Sequence, residues 1–360
     1  MANTHKNFLL MAHSLALKNF GKTFPNPSVG CIIVKNNKII SQGVTAKAGR
    51  PHAEEIALKK SGKKSKDSTM YVTLEPCHHK SYNGSCTNQI IRSGIKNIFI
   101  ALIDPDPRTN KKSIKKFNEN NINVNLGLTG NKTYALNKFF FESLKNKRPY
   151  TKVKMAISKD EKIAWQDYKS KWISNNQSRE YSHILRYNSQ AILTSSKTVI
   201  LDNPKFTVRK NNKIIKYLPV IIIDTSLKIP LKSNILKYIS KRRIIIFTAK
   251  KDKKFKVLKR LGCELINIKK NNKSELNLDL IFRKIYDLGI KDIQVEAGGI
   301  FLTNLLKEKL VNELHIFKSP KKIGSNGIPL IVNNSIKKFN FKTTDKKKFG
   351  NNEYTKYLIN

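Results

Sequence analysis

Apolar positions along the chain recur at two periods, and the switches between them lay out a succession of helices and strands. Phe8, Leu9, Ala12, Leu15 and Ala16 follow helical spacing with His13 and Ser14 off the stripe, which predicts an amphipathic helix over 5–19. Strands follow at Val29–Val34 and Lys38–Gly43 around a turn at Asn36-Asn37, then a helix over 53–61 and a buried strand over 69–74 that ends before Pro76. The pattern continues with helix 86–93, strand 97–102, a helix near 111–120, strand 122–126 and helix 131–145. The polar stretch Lys145-Asn-Lys-Arg-Pro149 ends that helix and precedes a new strand, marking a boundary between two domains, 1–147 and 148–360.

The second half restarts with strand 150–157, helix 175–187, and strands 191–195, 220–224 and 243–248. Helix 252–261, strand 263–268, helix 277–288 and strand 292–296 come next; after Gly298-Gly299 there is a helix over 300–308, then strands near 312–318 and 353–359. Both halves alternate helix with strand, so each is expected to be α/β, the first as a mixed sheet with helices on both faces. No internal repeat relates them.

Charge changes this picture less than its size suggests. Seventy basic residues against 25 acidic give a formal charge of +45, which points first to nucleic acid or an anionic surface. Lysine and asparagine are instead spread through every loop, as in Lys35-Asn-Asn-Lys38, Lys269-Lys-Asn-Asn-Lys273 and Lys346-Lys-Lys348, with no basic stripe interleaved with aromatics. Nucleic acid is therefore not the expected partner, and part of the excess would serve phosphorylated ligands. Of the four cysteines, Cys31 and Cys263 lie in apolar runs unlike a disulfide framework, so a reducing, cytoplasmic setting is expected. No apolar run reaches the roughly 18 residues of a membrane span, and no membrane partner is expected.

Chemistry concentrates in Pro51-His52-Ala53-Glu54-Glu55, in Glu75-Pro76-Cys77, and in Cys86. One histidine and two cysteines are good zinc ligands that leave a fourth tetrahedral position for water, as a catalytic site requires. Glu54, two residues after His52 in the first turn of a helix, is placed to address that water as a proton shuttle. His52 alone fits a packed polar residue and Cys77 alone a buried small hydrophobe; only together do they indicate a metal, with His78 as the competing ligand. His-x-Glu followed by Pro-Cys-x-x-Cys is the signature of zinc nucleobase deaminases, and here eight residues separate the cysteines instead of two.

The order Pro25-Asn26-Pro27-Ser28-Val29-Gly30, His52-Ala-Glu54, Leu74-Glu-Pro-Cys77, Cys86, Asp104-Pro105, Trp172-Ile173, Ile192-Leu-Thr-Ser195, Asp202-Asn-Pro204 and Glu296-Ala-Gly-Gly299 resembles the bifunctional deaminase/reductase family of riboflavin biosynthesis over nearly the whole chain. The wide cysteine spacing is also that family's. This resemblance implies a cytidine-deaminase-like three-layer α/β/α domain and a dihydrofolate-reductase-like α/β domain, using Zn2+ and NADPH on one phosphorylated pyrimidine, in a homo-oligomer. It further implies that His52, Cys77 and Cys86 hold zinc, that Glu54 is catalytic, and that Asn26 and His79 meet the substrate. In the second half it implies NADPH contacts at Ile157, Trp172, Thr198, Asp202, Thr225, Gly298 and Gly299. Substrate contacts fall at Ser170, Arg186, Phe206, Arg209 and Glu296, with Lys154 and Glu296 handling protons. Three stretches depart from the family pattern: His78–Ser85 lacks the usual arginine, for which Lys80 is a substitute; Arg108–Ser113 replaces a glycine-containing loop; and Glu161 replaces a turn glycine. The alternative is an RNA-editing deaminase with a basic nucleic-acid-binding second half, which leaves Glu296-Ala-Gly-Gly299 unexplained.

Overall fold

The computed structural model describes residues 2–79, 84–166, 173–271, 274–331, 339 and 341–359. The chain divides into two compact units, Met1–Lys147 and Arg148–Asn360. Ser170, Trp172 and Lys80, singled out from the sequence, lie outside the described residues.

The first unit runs α1 (Ala2–Asn19), β1 (Gly30–Lys35), β2 (Lys38–Val44), α2 (Ala53–Ser61), β3 (Thr69–Val72), α3 (Cys86–Arg92), β4 (Asn97–Ile100), α4 (Lys112–Glu119), β5 (Asn123–Leu126), α5 (Gly130–Leu136) and α6 (Lys138–Asn146). Its sheet has the order β2-β1-β3-β4-β5, with β1 antiparallel to both neighbours and β3, β4 and β5 parallel. Asn36 and Asn37 both take positive φ, 51° and 58°, the two-residue turn whose twist matches a hairpin. Glycine lets helices approach closely: a Cβ on Gly30 would collide with the Ala12 carbonyl of α1, and one on Gly43 with the Ala53 carbonyl of α2. Gly43 pairs with Cys31, one residue along from Gly30, so the two helices cover opposite faces of the sheet.

The single helix expected over 131–145 is two, because Asn137 between α5 and α6 is fully buried and pinned to Ser28. Its Oδ1 accepts the Ser28 N–H at 2.8 Å and its Nδ2 donates to the Ser28 carbonyl at 3.0 Å.

The second unit runs β6 (Tyr150–Ile157), β7 (Lys162–Trp165), α7 (Asn176–Tyr187), β8 (Ala191–Ser195), α8 (Ser196–Asp202), β9 (Thr207–Lys210), β10 (Lys213–Tyr217), β11 (Val220–Ile223), β12 (Ile244–Thr248), α9 (Lys253–Arg260), β13 (Glu264–Asn267), α10 (Leu278–Asp287), β14 (Asp292–Val295), α11 (Gly299–Lys307), β15 (Glu313–Lys318), β16 (Gly327–Pro329), β17 (Phe341–Phe349) and β18 (Asn352–Ile359). Nine strands form the main sheet in the order β13-β12-β11-β8-β14-β6-β15-β18-β17. The first seven are parallel and the last two antiparallel. Continuous apolar runs such as Val220–Ile223 and Ile244–Phe247 are buried throughout, as a parallel strand covered on both faces requires.

The apolar pattern misses β7, α8, the β9–β10 hairpin, β16 and β17. The hairpin turn reads Lys210-Asn-Asn-Lys213, with Asn211 at φ 48° and Asn212 at 60°, and so repeats the signal that marks Lys35–Lys38. β17 carries Lys346, Lys347 and Lys348 on the sheet's edge, where charge blunts edge pairing and hides the strand from a hydrophobic pattern.

Candidate active sites

In the first unit three elements converge. His52 is the N-cap residue of α2, but its side chain makes no capping bond; Cys77 follows β3; Cys86 opens α3, capped by Ser85, which accepts the Asn88 N–H at 3.2 Å. The ligand atoms of His52, Cys77 and Cys86 all lie within 4.8 Å of one another, and His78 is not part of the group. His52 Nδ1 is 3.3 Å from Cys86 Sγ, and Cys77 Sγ accepts the Cys86 N–H at 3.4 Å. Hydrogen bonds from Cys86 and then His52 pull the Cys77 thiol well down, whereas the same contact and burial push Cys86 up, so the pair shares a proton. A divalent cation that displaces that proton gains two thiolates and an imidazole, a donor set suited to zinc. Helix N-termini at both α2 and α3 add favourable potential for the anionic ligands.

Glu54 is buried, and burial first, then the charges of Cys77 and Glu55, raise its carboxyl to about 7 against the pull of His52. Such a group can both take and give a proton near neutrality. Asn26 donates from Nδ2 to the Gly49 carbonyl at 3.0 Å, and Gly49 has φ 88° with no room for a Cβ beside that amide. His79 Nδ1 is 3.4 Å from the Thr109 hydroxyl, and burial lowers its pKa.

In the second unit the sequence-predicted positions gather at one edge. β6, β8, β11 and β14 are parallel, and Ile157, Thr198, Thr225, Glu296, Gly298 and Gly299 all lie at or just beyond their carboxyl ends. That edge is where open α/β sheets bind ligands. Glu296 receives Arg186 as a fork, Nε to Oε1 at 2.6 Å and Nη2 to Oε2 at 2.8 Å, while Gln294 Nε2 donates to Oε1 at 2.9 Å. Burial opposes ionisation of Glu296, but Arg186 outweighs it and holds the carboxyl down to about 2. The Arg186 fork, which the resemblance assigns to the substrate, is thus engaged by Glu296, with Nη1 on the Thr207 carbonyl at 3.0 Å. Lys154 has its pKa lowered by burial, with Arg186 and Arg179 adding to the effect against the pull of Glu296. Phe206 is buried at φ 46° beneath Arg186, whose guanidinium is 5.6 Å from the ring centre. Asp202 and Arg209 are exposed at the rim. Gly299 is a packing requirement, since a Cβ there would press on the Pro329 and Leu330 carbonyls, whereas a Cβ on Gly298 would meet open space.

Three participants carry no local signal in the sequence. Gln294 supports Glu296 from the same face of β14, and His183 accepts the Arg209 N–H on Nδ1 at 3.2 Å, its pKa lowered to about 4 by burial and then by Arg186 and Arg209. Arg242, buried, donates to the Phe206 carbonyl at 2.7 Å and to the Lys205 carbonyl at 2.7 Å, fixing the Phe206 turn from 36 residues away.

Comparison with known proteins assigns a family to each unit. Residues 2–102 match the cytidine and deoxycytidylate deaminase zinc-binding region, and residues 149–353 match the RibD C-terminal domain. A zinc-dependent deaminase is therefore joined to an NADPH-dependent reductase in one chain, and the RNA-binding alternative is not favoured. Riboflavin biosynthesis protein RibD of Aquifex aeolicus is 38% identical over 325 residues, covering 89% of this chain and 88% of its own. That of Escherichia coli is 31% identical over 327 residues, covering 88% of each. Acinetobacter baumannii RibD superposes with a TM-score of 0.91 at 26% identity over 100% of both chains. A Thermotoga maritima diaminohydroxyphosphoribosylaminopyrimidine deaminase/5-amino-6-(5-phosphoribosylamino)uracil reductase does so at 0.84, with 27% identity over 99% of both. The chain belongs to the RibD family of bifunctional riboflavin biosynthesis enzymes.

Proposed function

We propose that residues 1–147 deaminate 2,5-diamino-6-ribosylamino-4(3H)-pyrimidinone 5′-phosphate and that residues 148–360 reduce the product's ribosyl group, giving 5-amino-6-ribitylamino-uracil 5′-phosphate. The observation that carries the first step is the buried carboxyl of Glu54 beside three soft or borderline ligand atoms within 4.8 Å of one another. Zinc held by His52, Cys77 and Cys86 would supply an acidified water as nucleophile. Glu54 takes the proton from the attacking side and delivers it to the departing amino nitrogen, so ammonia leaves neutral. Asn26 and His79 orient the pyrimidine.

In the second step NADPH, lodged against Ile157, Thr198, Asp202, Thr225, Gly298 and Gly299, would supply the hydride; the resemblance also assigns Trp172 to the nucleotide and Ser170 to the substrate. The Arg186–Glu296 pair gives the substrate a fixed polar wall, and Phe206 a flat apolar one. Lys154, with its lowered pKa, delivers a proton to the ribose oxygen released from C1′. Arg209 at the exposed rim suits the 5′-phosphate, which a guanidinium binds as a fork.

Four free cysteines, all buried, two of them in the metal cluster, support a reducing cytoplasmic setting. Among the described residues no helix is long and apolar enough to cross a membrane. Exposed apolar side chains on α1, Met11 and Leu17, support a homo-oligomer, which light scattering tests. Dispersed lysines support a role in solubility and not in nucleic-acid binding. Incubating the purified protein with the pyrimidine phosphate, with and without NADPH, tests the function by product mass. Deamination alone without nucleotide, and a further gain of two hydrogens with it, is expected; an unchanged substrate in both arms overturns it.

A further inference from the structure

Glu75 is buried two residues before Cys77, in a carboxylate position the deaminase chemistry leaves unused. Its Oε2 accepts two backbone N–H groups, Asp104 at 3.2 Å and Lys111 at 3.1 Å, and its Oε1 accepts the Ser113 hydroxyl at 2.5 Å. Its own N–H donates to the Leu102 carbonyl at 2.9 Å. The three side-chain bonds span both ends of the segment 104–113. Lys111 is the N-cap residue of α4, in the left-handed region at φ 57°, and makes no side-chain cap of its own. Glu75 therefore fixes the start of a helix that lies elsewhere in the sequence, holding the N–H of its N-cap residue and the Ser113 hydroxyl of its first turn.

Midway along this clamped segment, Thr109 reaches back to the metal-bearing turn. Its fully buried side chain accepts the His78 N–H at 3.4 Å and lies 3.4 Å from His79 Nδ1. The Thr109 hydroxyl thus ties both the His78 backbone and the His79 ring to the clamped segment. Further bonds stiffen the segment: Asp104 Oδ1 accepts the Asp106 N–H at 2.9 Å, and Asn110 Nδ2 donates to the Asp104 carbonyl at 2.9 Å.

We infer that Glu75 is a positioning residue for deamination: by clamping residues 104–113 it holds the Pro76–His79 turn, and through Thr109 it sets the orientation of the His79 ring. The inference rests on His52, Cys77 and Cys86 being the metal ligands. Because both backbone N–H groups go to one carboxylate oxygen, a glutamine can keep them on Oε1 and donate from Nε2 to the Ser113 hydroxyl. The clamp thus depends on hydrogen-bonding shape and not on charge.

The test uses the full-length zinc-loaded chain with Glu75→Gln, Glu75→Ala, Ser113→Ala and Thr109→Val, and measures zinc content, deaminase kcat and KM, and reductase activity on already deaminated substrate as an internal control. Glu75→Ala is expected to lower deaminase kcat/KM at least tenfold, Glu75→Gln to remain within about threefold, and Ser113→Ala to fall between them. Thr109→Val should act mainly on KM. Wild-type deamination by Glu75→Ala overturns the inference, as does Glu75→Gln failing as badly as Glu75→Ala. If Glu75→Ala does not fold, the Gln and Ser113→Ala comparison still decides. Zinc analysis of Cys86→Ala runs alongside: full retention there would show the ligand assignment at fault, separately from the clamp.

Discussion

The two sites of this chain solve similar problems with opposite uses of a buried carboxylate. In the first unit Glu54 faces a histidine and thiols, and burial dominates, so its proton affinity rises to about 7. In the second unit Glu296 is also largely enclosed, but a forked guanidinium faces it and its proton affinity falls to about 2. Burial raises a carboxyl pKa unless a fixed cation repays the lost hydration. One glutamate is thereby fitted to move protons and the other to hold a charge in place. The sites also differ in how they are assembled. His52 and Cys86 are 34 positions apart and sit on adjoining helix starts, whereas Arg186 and Glu296 are 110 apart.

The sharpest way to break this contrast is at Glu54. Glu54→Gln keeps shape but cannot shuttle a proton, so deamination should fall by about 10²–10⁴-fold while zinc content and reduction of deaminated substrate persist. Product assays with each substrate check this, and near-normal deamination removes Glu54 from the chemistry.

Arg186→Met tests the opposite case. It leaves Glu296 buried without its cation, which should cost about 3–5 kcal/mol in stability of the second unit and abolish reduction, with deamination spared. The pH dependence has a definite sign. The folded pKa of Glu296 lies below its ordinary 4.5, so the ion pair contributes fully above that value and is lost as pH falls towards 2. Acid unfolding of wild type should be steeper over this window than that of Glu296→Gln; matching curves would mean that the pair does not hold the charge.

A smaller effect concerns the nucleotide. No Gly-x-Gly-x-x-Gly fingerprint follows a strand, and the loops at the sheet edge are rich in lysine and arginine. One or two charge-assisted bonds to the 2′-phosphate, about 1.5–3 kcal/mol each, should favour NADPH over NADH at least tenfold. Steady-state rates with each nucleotide measure it, and equal use of NADH contradicts the assignment.

The smallest expected change touches both units alike. Lys111 and Glu161 stand at φ 57° and 61°, in stretches where the sequence departs from the family's glycines. Lys111→Gly and Glu161→Gly should each stabilise by about 0.5–1 kcal/mol, relieving left-handed strain while giving back part of it as chain entropy. Denaturant midpoints of the single variants report this, and a loss of stability at either position refutes the strain reading there.

Sequence alone determined the elements whose signals are local. Periodicity located α1, the apolar strands and most helices; Asn36-Asn37 marked a hairpin; and the metal centre was legible because each ligand sits at an element end that the pattern already places. Tertiary structure decided what depends on partners distant along the chain. Asn137 breaks a helix only because Ser28 is there to receive it. The strand β17 is polar between its terminal Phe341 and Phe349 and exists because β18 pairs with it. Arg186 reads as a substrate ligand until Glu296 occupies its fork, and Glu75 reads as part of a metal motif until the ends of residues 104–113 close on it. The physical reason is common to the three side chains. Hydrophobic periodicity records which side of an element faces the core, but a buried polar group takes its role from whichever partner satisfies it, and that partner is chosen by the fold.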